Sequence, residues 1–194
     1  RLGDGINFSH AGITAEGDNR VLLQKVAKEL LTSLSKGEIR MKNVSLPTEM
    51  DTMTDLVNHF EHRHWTLLKE LGEKMLEAND GAKTIFQIWM QEQSDLIQLT
   101  AESFGELMCM KASVDQIQNA PSHLQELMTN VVRLYAFKTI EKWCKVPSYQ
   151  DLIDKITPFA MDLIAGLGVP QGGLCSPIAF DWEKYNLGDW QGEV

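Results

Sequence analysis

Glu16 stands between Ala15 and Gly17 in the run TAEGDNRVLLQKVAKELL, where a connector enters a strongly amphipathic stretch. A carboxylate beside a residue without a side chain has two readings. It can be an acid near a helix N-terminus, mildly favoured by the helix dipole, or a general base with room beside it for a substrate. Three histidines, His59, His62 and His64, fall within NHFEHRHW. His59 and His62, three apart, share a helix face as two metal ligands do. His64 falls on a different face and no cysteine or second histidine pair supports them, so the expectation is a wetted helix flank. Cys144 has Lys142 and Lys145 close by, and such cations lower a thiol pKa; with no histidine partner in view it reads as a buried structural thiol. Trp89, Met90, Met108 and Met110 read as core filler.

The elements that must position these residues are helices. Over residues 21–34, Leu22, Leu23, Val26, Leu30, Leu31 and Leu34 recur at intervals of three and four with Gln24, Lys25, Lys28 and Glu29 between them, which is one apolar stripe and one wet face. Asp18 or Asn19 suits the N-cap, and Lys36 with Gly37 suits the C-terminus. A polar linker over residues 38–47 leads to Thr48 and Asp51, spaced as a capping box, and predicts a second helix over 49–79 with an interruption near Gly72. A third run covers 82–110. The fourth starts after Pro121 and Ser122 and ends near Pro147. The fifth covers 148–165, and Pro158 inside it should kink or split it. No stretch alternates with period two, so the expectation is all-α: antiparallel helices in a bundle. GLGVPQGGLCSP at 166–177 reads as a loop without the GK[ST] ending of a P-loop, and the aromatic and acidic tail 178–194 reads as a segment over the bundle.

Composition narrows the function classes. Against 18 lysines and arginines the 194 residues carry 27 acids, a formal net charge of -9, which argues against nonspecific nucleic-acid binding, since that rests on cations facing phosphates. An anion site on such a chain must be local or completed by other protein. Three dispersed cysteines, Cys109, Cys144 and Cys175, make neither a disulfide framework nor a zinc site. No apolar run approaches the roughly 18–20 residues of a membrane span. A soluble chain of a reducing compartment is expected. The opening RLGDGINFSHAG reads as the middle of a connection inside a larger domain, so the chain is expected to be a fragment.

The string TAEGDNRVLLQKVAKELL closely resembles the glutamate-glycine segment near the C-terminal helical domain of peroxisomal acyl-CoA oxidases. The run LMTNVVRLYAFKTIEKW at 127–143 and the tail stretch SPIAFDWEKYN at 176–186 are similar to later parts of the same enzymes. The resemblance implies an all-α bundle of the C-terminal α-domain type, with residues 1–37 ending the first C-terminal helical domain and residues 38–194 forming the second with its tail. It implies an FAD-dependent parent that converts acyl-CoA to trans-2-enoyl-CoA in fatty-acid β-oxidation and reduces O2 to H2O2. On that resemblance Glu16 is the base that takes the α-proton, Gly17 leaves room for the acyl thioester, and Asp18, Asn19 and Arg20 lie where the wider superfamily contacts FAD. The last three suit helix capping equally well.

The family further implies a homodimer and a peroxisomal location, although the ending GEV is not an SKL-type address. An isolated stretch of this size is expected to be inactive, because the parts that hold most of the flavin lie elsewhere in the parent. Two other readings stay open: a helical interaction module without chemistry, and the C-terminal part of an acyl-CoA dehydrogenase.

Overall fold

A computed structural model describes residues 19–81 and 83–166. Among these there is no strand, and the all-α expectation holds. Helix α1 spans Asn19–Ser35, α2 Met53–Leu76, α3 Ser94–Asn119, α4 Ser122–Ile140 and α5 Gln150–Ile156. A 3-10 turn at Glu77–Asp80 and a π-helical turn at Gln87–Glu92 link α2 to α3. Residues 19–156 form one compact unit. The described residues 157–166 belong to a separate one and carry a 3-10 turn, Thr157–Phe159, and a short helix α6, Ala160–Gly166. Pro158 therefore does split the last helical run, as the missing N–H of proline requires. The loop predicted from residue 167 onward and the tail 178–194 lie outside the described residues.

Helix α1 stops where the sequence says it should. Gly37 takes φ 73°, its N–H bonds the carbonyl of Leu34 at 3.1 Å, and the N–H of Glu38 bonds that of Ser33 at 2.9 Å. A left-handed residue after the last turn satisfies carbonyls that the helix leaves open, and glycine adopts it without steric cost.

Helix α2 departs from expectation at its start. The sequence TEMDTMTD contains the same Thr-x-x-Asp signal twice, and the chain uses the second: Thr52 is the N-cap, its hydroxyl oxygen accepts from the Asp55 N–H at 3.1 Å, and the Asp55 carboxylate accepts from the Thr52 N–H at 2.9 Å. Tertiary packing decides between the two. Met50 is buried in the same cluster as Leu56, and the main-chain carbonyl of Asp51 accepts from Arg133 of α4 at 3.0 Å, so residues 49–51 are committed to contacts outside the helix. Nor does Gly72 interrupt α2. It sits within the helix, where a methyl added to it would meet Leu31 of α1 at 4.0 Å.

The run predicted over 82–110 is broken at Gln93, whose N–H bonds the carbonyl of Ile88 at 2.8 Å across a widened turn. Helix α3 then continues to Asn119, beyond the expected end. Helix α4 ends at Ile140, and a turn carries the chain towards Pro147.

Helices α2 and α3 form the central pair, with α1 lying mainly on α3 and α4 against both. Two apolar clusters result. One unites Met50, Leu56 and Phe60 with Leu107, Met110, Ala136, Phe137 and Ile140. The other joins Ala27 of α1 to Leu71, Ile97 and Ala101, with Leu23, Val26, Leu31, Met75, Trp89 and Leu96 around it. Ala27 and Ala101 are nearly inaccessible, so small side chains are what lets α1 approach α3 closely.

Candidate functional site

Of the five residues singled out in the sequence, Glu16, Gly17 and Asp18 lie outside the described residues. Asn19 and Arg20 are the first two residues of α1, and both are exposed. What the structure adds is how that helix start is held. The side-chain amide of Gln98, itself 8 % exposed within α3, donates from Nε2 to the carbonyl oxygen of Arg20 at 3.1 Å. One turn further on, the indole N–H of Trp89 donates to Gln24 Oε1 at 3.4 Å. These polar ties, together with Ala27, Val26 and Leu23 packed beneath, anchor the first turns of α1. No acid occupies the first turn of α1 among the described residues.

Gln98 was not legible as important. A glutamine between Ile97 and Leu99 reads as a polar residue on a wet flank, and only the docking of α1 gives its amide a buried partner. Trp89, expected as filler, is half-buried and does pack in the α1 cluster, but its indole N–H also makes the polar tie to α1. Met110 is core, whereas Met90 and Met108 are 46 % and 50 % exposed and do not fill the core at all. Cys144 is half-buried, its thiol 3.7 Å from the carbonyl of Lys145, and Trp143, Val146 and Tyr149 share the edge of its cluster.

The histidines correct the sequence reading. His59 and His64 are 1 % and 2 % exposed, not wetted, and only His62 lies at the margin, where its Nδ1 is 2.6 Å from the carbonyl of Val44. His64 sits at the four-residue spacing of Phe60, His64 and Leu68, on the buried stripe of α2. The Ser103 hydroxyl donates to the carbonyl of Thr100 at 2.7 Å, so towards His64 its oxygen can only accept; Nδ1 of His64, 3.2 Å away, carries the proton and donates. Burial pushes the His64 imidazole down to about 4, with Lys111 adding to the effect and Glu61 opposing it. His59 shifts in the same direction, again chiefly through burial, with the main chain of Glu49 opposing. Both rings are held neutral. Among the described residues no group of three His, Cys, Asp or Glu side chains gathers as metal ligands do.

Beside the histidine stripe, two carboxylates of the α2–α3 pair collect cations. Glu61 takes Lys111 and Lys42, and Glu106 takes Arg63 and Lys142. Burial raises the Glu61 pKa, but Lys111 and Lys42 outweigh it and the net shift is downward. Arg63 also lies over the Trp143 ring at 3.9 Å, which ties the turn after α4 back to α2. These groups hold helices together, four cations sharing two carboxylates.

No helix of the described residues is long and apolar enough to cross a membrane. The family model for acyl-CoA oxidase matches residues 52–146, from the N-cap of α2 through the turn after α4. The chain is 24% identical to the putative acyl-coenzyme A oxidase 3.2, peroxisomal, of Arabidopsis thaliana, over 89% of this chain and 30% of the relative. The chain thus spans about 30% of the length of the curated relative it matches. No solved structure matches it. The acyl-CoA oxidase resemblance read from the sequence holds, and it covers the helical region.

Proposed function

From the acyl-CoA oxidase likeness of residues 52–146 we propose that this chain is the C-terminal portion of an FAD-dependent acyl-CoA oxidase. The observation that carries the proposal is that the matched segment coincides with the α2–α4 bundle, and that this bundle is the platform on which α1 lies, immediately after the Glu16–Gly17 pair. In this reading residues 1–37 end one helical domain of the parent and residues 38–194 form the next. The substrate is an acyl-CoA, the co-substrate is O2, the parent is a homodimer, and its compartment is the peroxisome, as the name of the plant relative says of that protein.

The residues of α1 fit a flavin nucleotide to the extent that they are described. An exposed helix start with Asn19 and Arg20 suits an anionic pyrophosphate, since the dipole at a helix N-terminus favours negative charge. Asp18, Asn19 and Arg20 would hold the cofactor. When bound, the flavin supplies an acceptor for the hydride from the β-carbon and a centre that O2 reoxidises with release of H2O2.

The chain's own part in the reaction is proton chemistry. Glu16 takes the α-proton. Its main-chain N–H donates to the thioester oxygen, where negative charge grows as that proton leaves. Gly17 lets the thioester approach the backbone, which a side chain there would obstruct. Gln98 and Trp89 fix the first turns of α1, the helix that follows residue 16 along the chain.

Replacing Glu16 by Gln in the intact parent tests this directly. The size and the main-chain donor survive, so flavin and acyl-CoA binding should persist while the rate of anaerobic flavin bleaching by acyl-CoA falls at least about a hundredfold, the scale of a positioned general base. Bleaching at the wild-type rate would remove Glu16 as the base and the functional reading with it.

A further inference from the structure

Beside α1 runs an open groove of about 620 Å³, floored by Leu31, Met75 and Trp89 and flanked by Ile85, Phe86 and Met90. Its volume is within the roughly 300–1,000 Å³ of small-molecule sites. The widened π-helical turn shapes one wall. It directs Trp89 inward to Gln24 and leaves Ile85, Phe86 and Met90 outside the core, 65 %, 63 % and 46 % exposed. A contiguous apolar strip of this kind has a thermodynamic reason to be covered.

The polar rim says by what. Lys28 lies on the rim, and its ammonium has no ion-pair partner among the described residues, whereas Lys25 of the same helix and Lys36 just past its end are paired with Glu29 and Glu38. The hydroxyl protons of Thr32 and Ser35 are already donated to the carbonyls of Lys28 and Thr32. Gln24 uses its oxygen to accept from Trp89, which leaves its amide N–H groups as donors. The groove therefore offers one cation without an ion-pair partner among the described residues and one amide donor at the edge of an apolar channel.

We propose that this groove binds a single-chain anionic amphiphile, with the carboxylate on Lys28 and Gln24 and the alkyl chain along Leu31, Met75, Phe86 and Met90. The site is built entirely from residues 24–90 and is independent of Glu16 and of the acyl-CoA oxidase reading.

Calorimetric titration of the 194-residue chain with dodecanoate below its micellar concentration tests the proposal. One molecule should bind, about fourfold more tightly for each methylene added from octanoate upward until the groove is filled, as expected for burial of alkyl groups. Lys28→Gln should weaken dodecanoate at least about tenfold, as for loss of a charge-assisted hydrogen bond, while leaving dodecanol unaffected. Phe86→Asp, at an exposed position and expected to leave the helical circular dichroism unchanged, should weaken both. Three results would overturn the proposal: no binding by the wild-type chain, equal binding of dodecyltrimethylammonium, or a dimer in sedimentation that Phe86→Asp dissociates, since the groove would then belong to a second copy of this chain. Any of these leaves the flavin-bleaching test of Glu16 undisturbed.

Discussion

Phe60 and Phe86 mark two regions of one bundle that handle apolar surface in opposite ways. Phe60 is 1 % exposed, stacked 6.2 Å from the Tyr135 ring and edge-on to Trp143 at 5.9 Å, and Arg63 covers Trp143 from outside. Around it three helices contribute large side chains, and ion pairs close the flanks. Phe86 is 63 % exposed just before the π-helical turn beside α1, where the buried cluster is Ala27, Leu71, Ile97 and Ala101. The comparison separates two uses of hydrophobic residues. At Phe60 they hold the helices in register, and at Phe86 they are kept on a surface, where they can act on something that is not part of the core.

Truncation of Phe60 is the strongest way to break that contrast. Phe60→Ala should cost about 3–5 kcal/mol of unfolding free energy, the range for emptying a large buried aromatic site, read as a fall in the urea midpoint; a loss under about 1 kcal/mol would mean the two phenylalanines are equivalent.

Acid should act next most strongly, and on the α2 stripe. His64 titrates at about 4 in the folded chain against its ordinary 6.5, so between those values the unfolded chain binds more protons. Stability is then fully present above pH 6.5 and is lost as pH falls towards 4, by roughly 3 kcal/mol at most from this residue. His59 contributes in the same direction. Chemical denaturation from pH 7 to 4 should show this slope, and His64→Gln should flatten it, with some loss at pH 7 from the altered fit. An unchanged slope in the variant would refute the buried neutral imidazole.

Ala27→Leu probes the thinner contact. The larger side chain has no space where α1 approaches α3, and overpacking of about 1–3 kcal/mol is expected, with faster amide exchange in α1 than in α2. Phe86→Ala should do least, within about 0.5 kcal/mol of wild type in the same urea assay; a cost like that of Phe60 would show that its exposure is not real in solution.

Helix existence was legible along most of the described chain because an amphipathic face imposes a 3.6-residue recurrence on local sequence, and Gly37 marked an end by a backbone geometry that few other residues adopt. Pro158 was legible for the same local reason. The second capping box was not, since Thr48-Asp51 and Thr52-Asp55 are equivalent as strings. Of the candidate site, Glu16 and Gly17 came from resemblance rather than from periodicity, and the described residues begin just after them.

The sequence by itself determined the class of the fold, the order of its helices and the resemblance to acyl-CoA oxidases, because these reside in local patterning and in strings that survive without neighbours. Only the tertiary structure decided which Thr-x-x-Asp pair caps α2, that His59 and His64 are buried, that Gln98 holds the start of α1, and that Ile85, Phe86 and Met90 stay exposed beside Lys28, which has no ion-pair partner among the described residues. Each of those outcomes depends on which face another helix covers. A single helix carries the period of its apolar residues but not the identity of the surface that meets them.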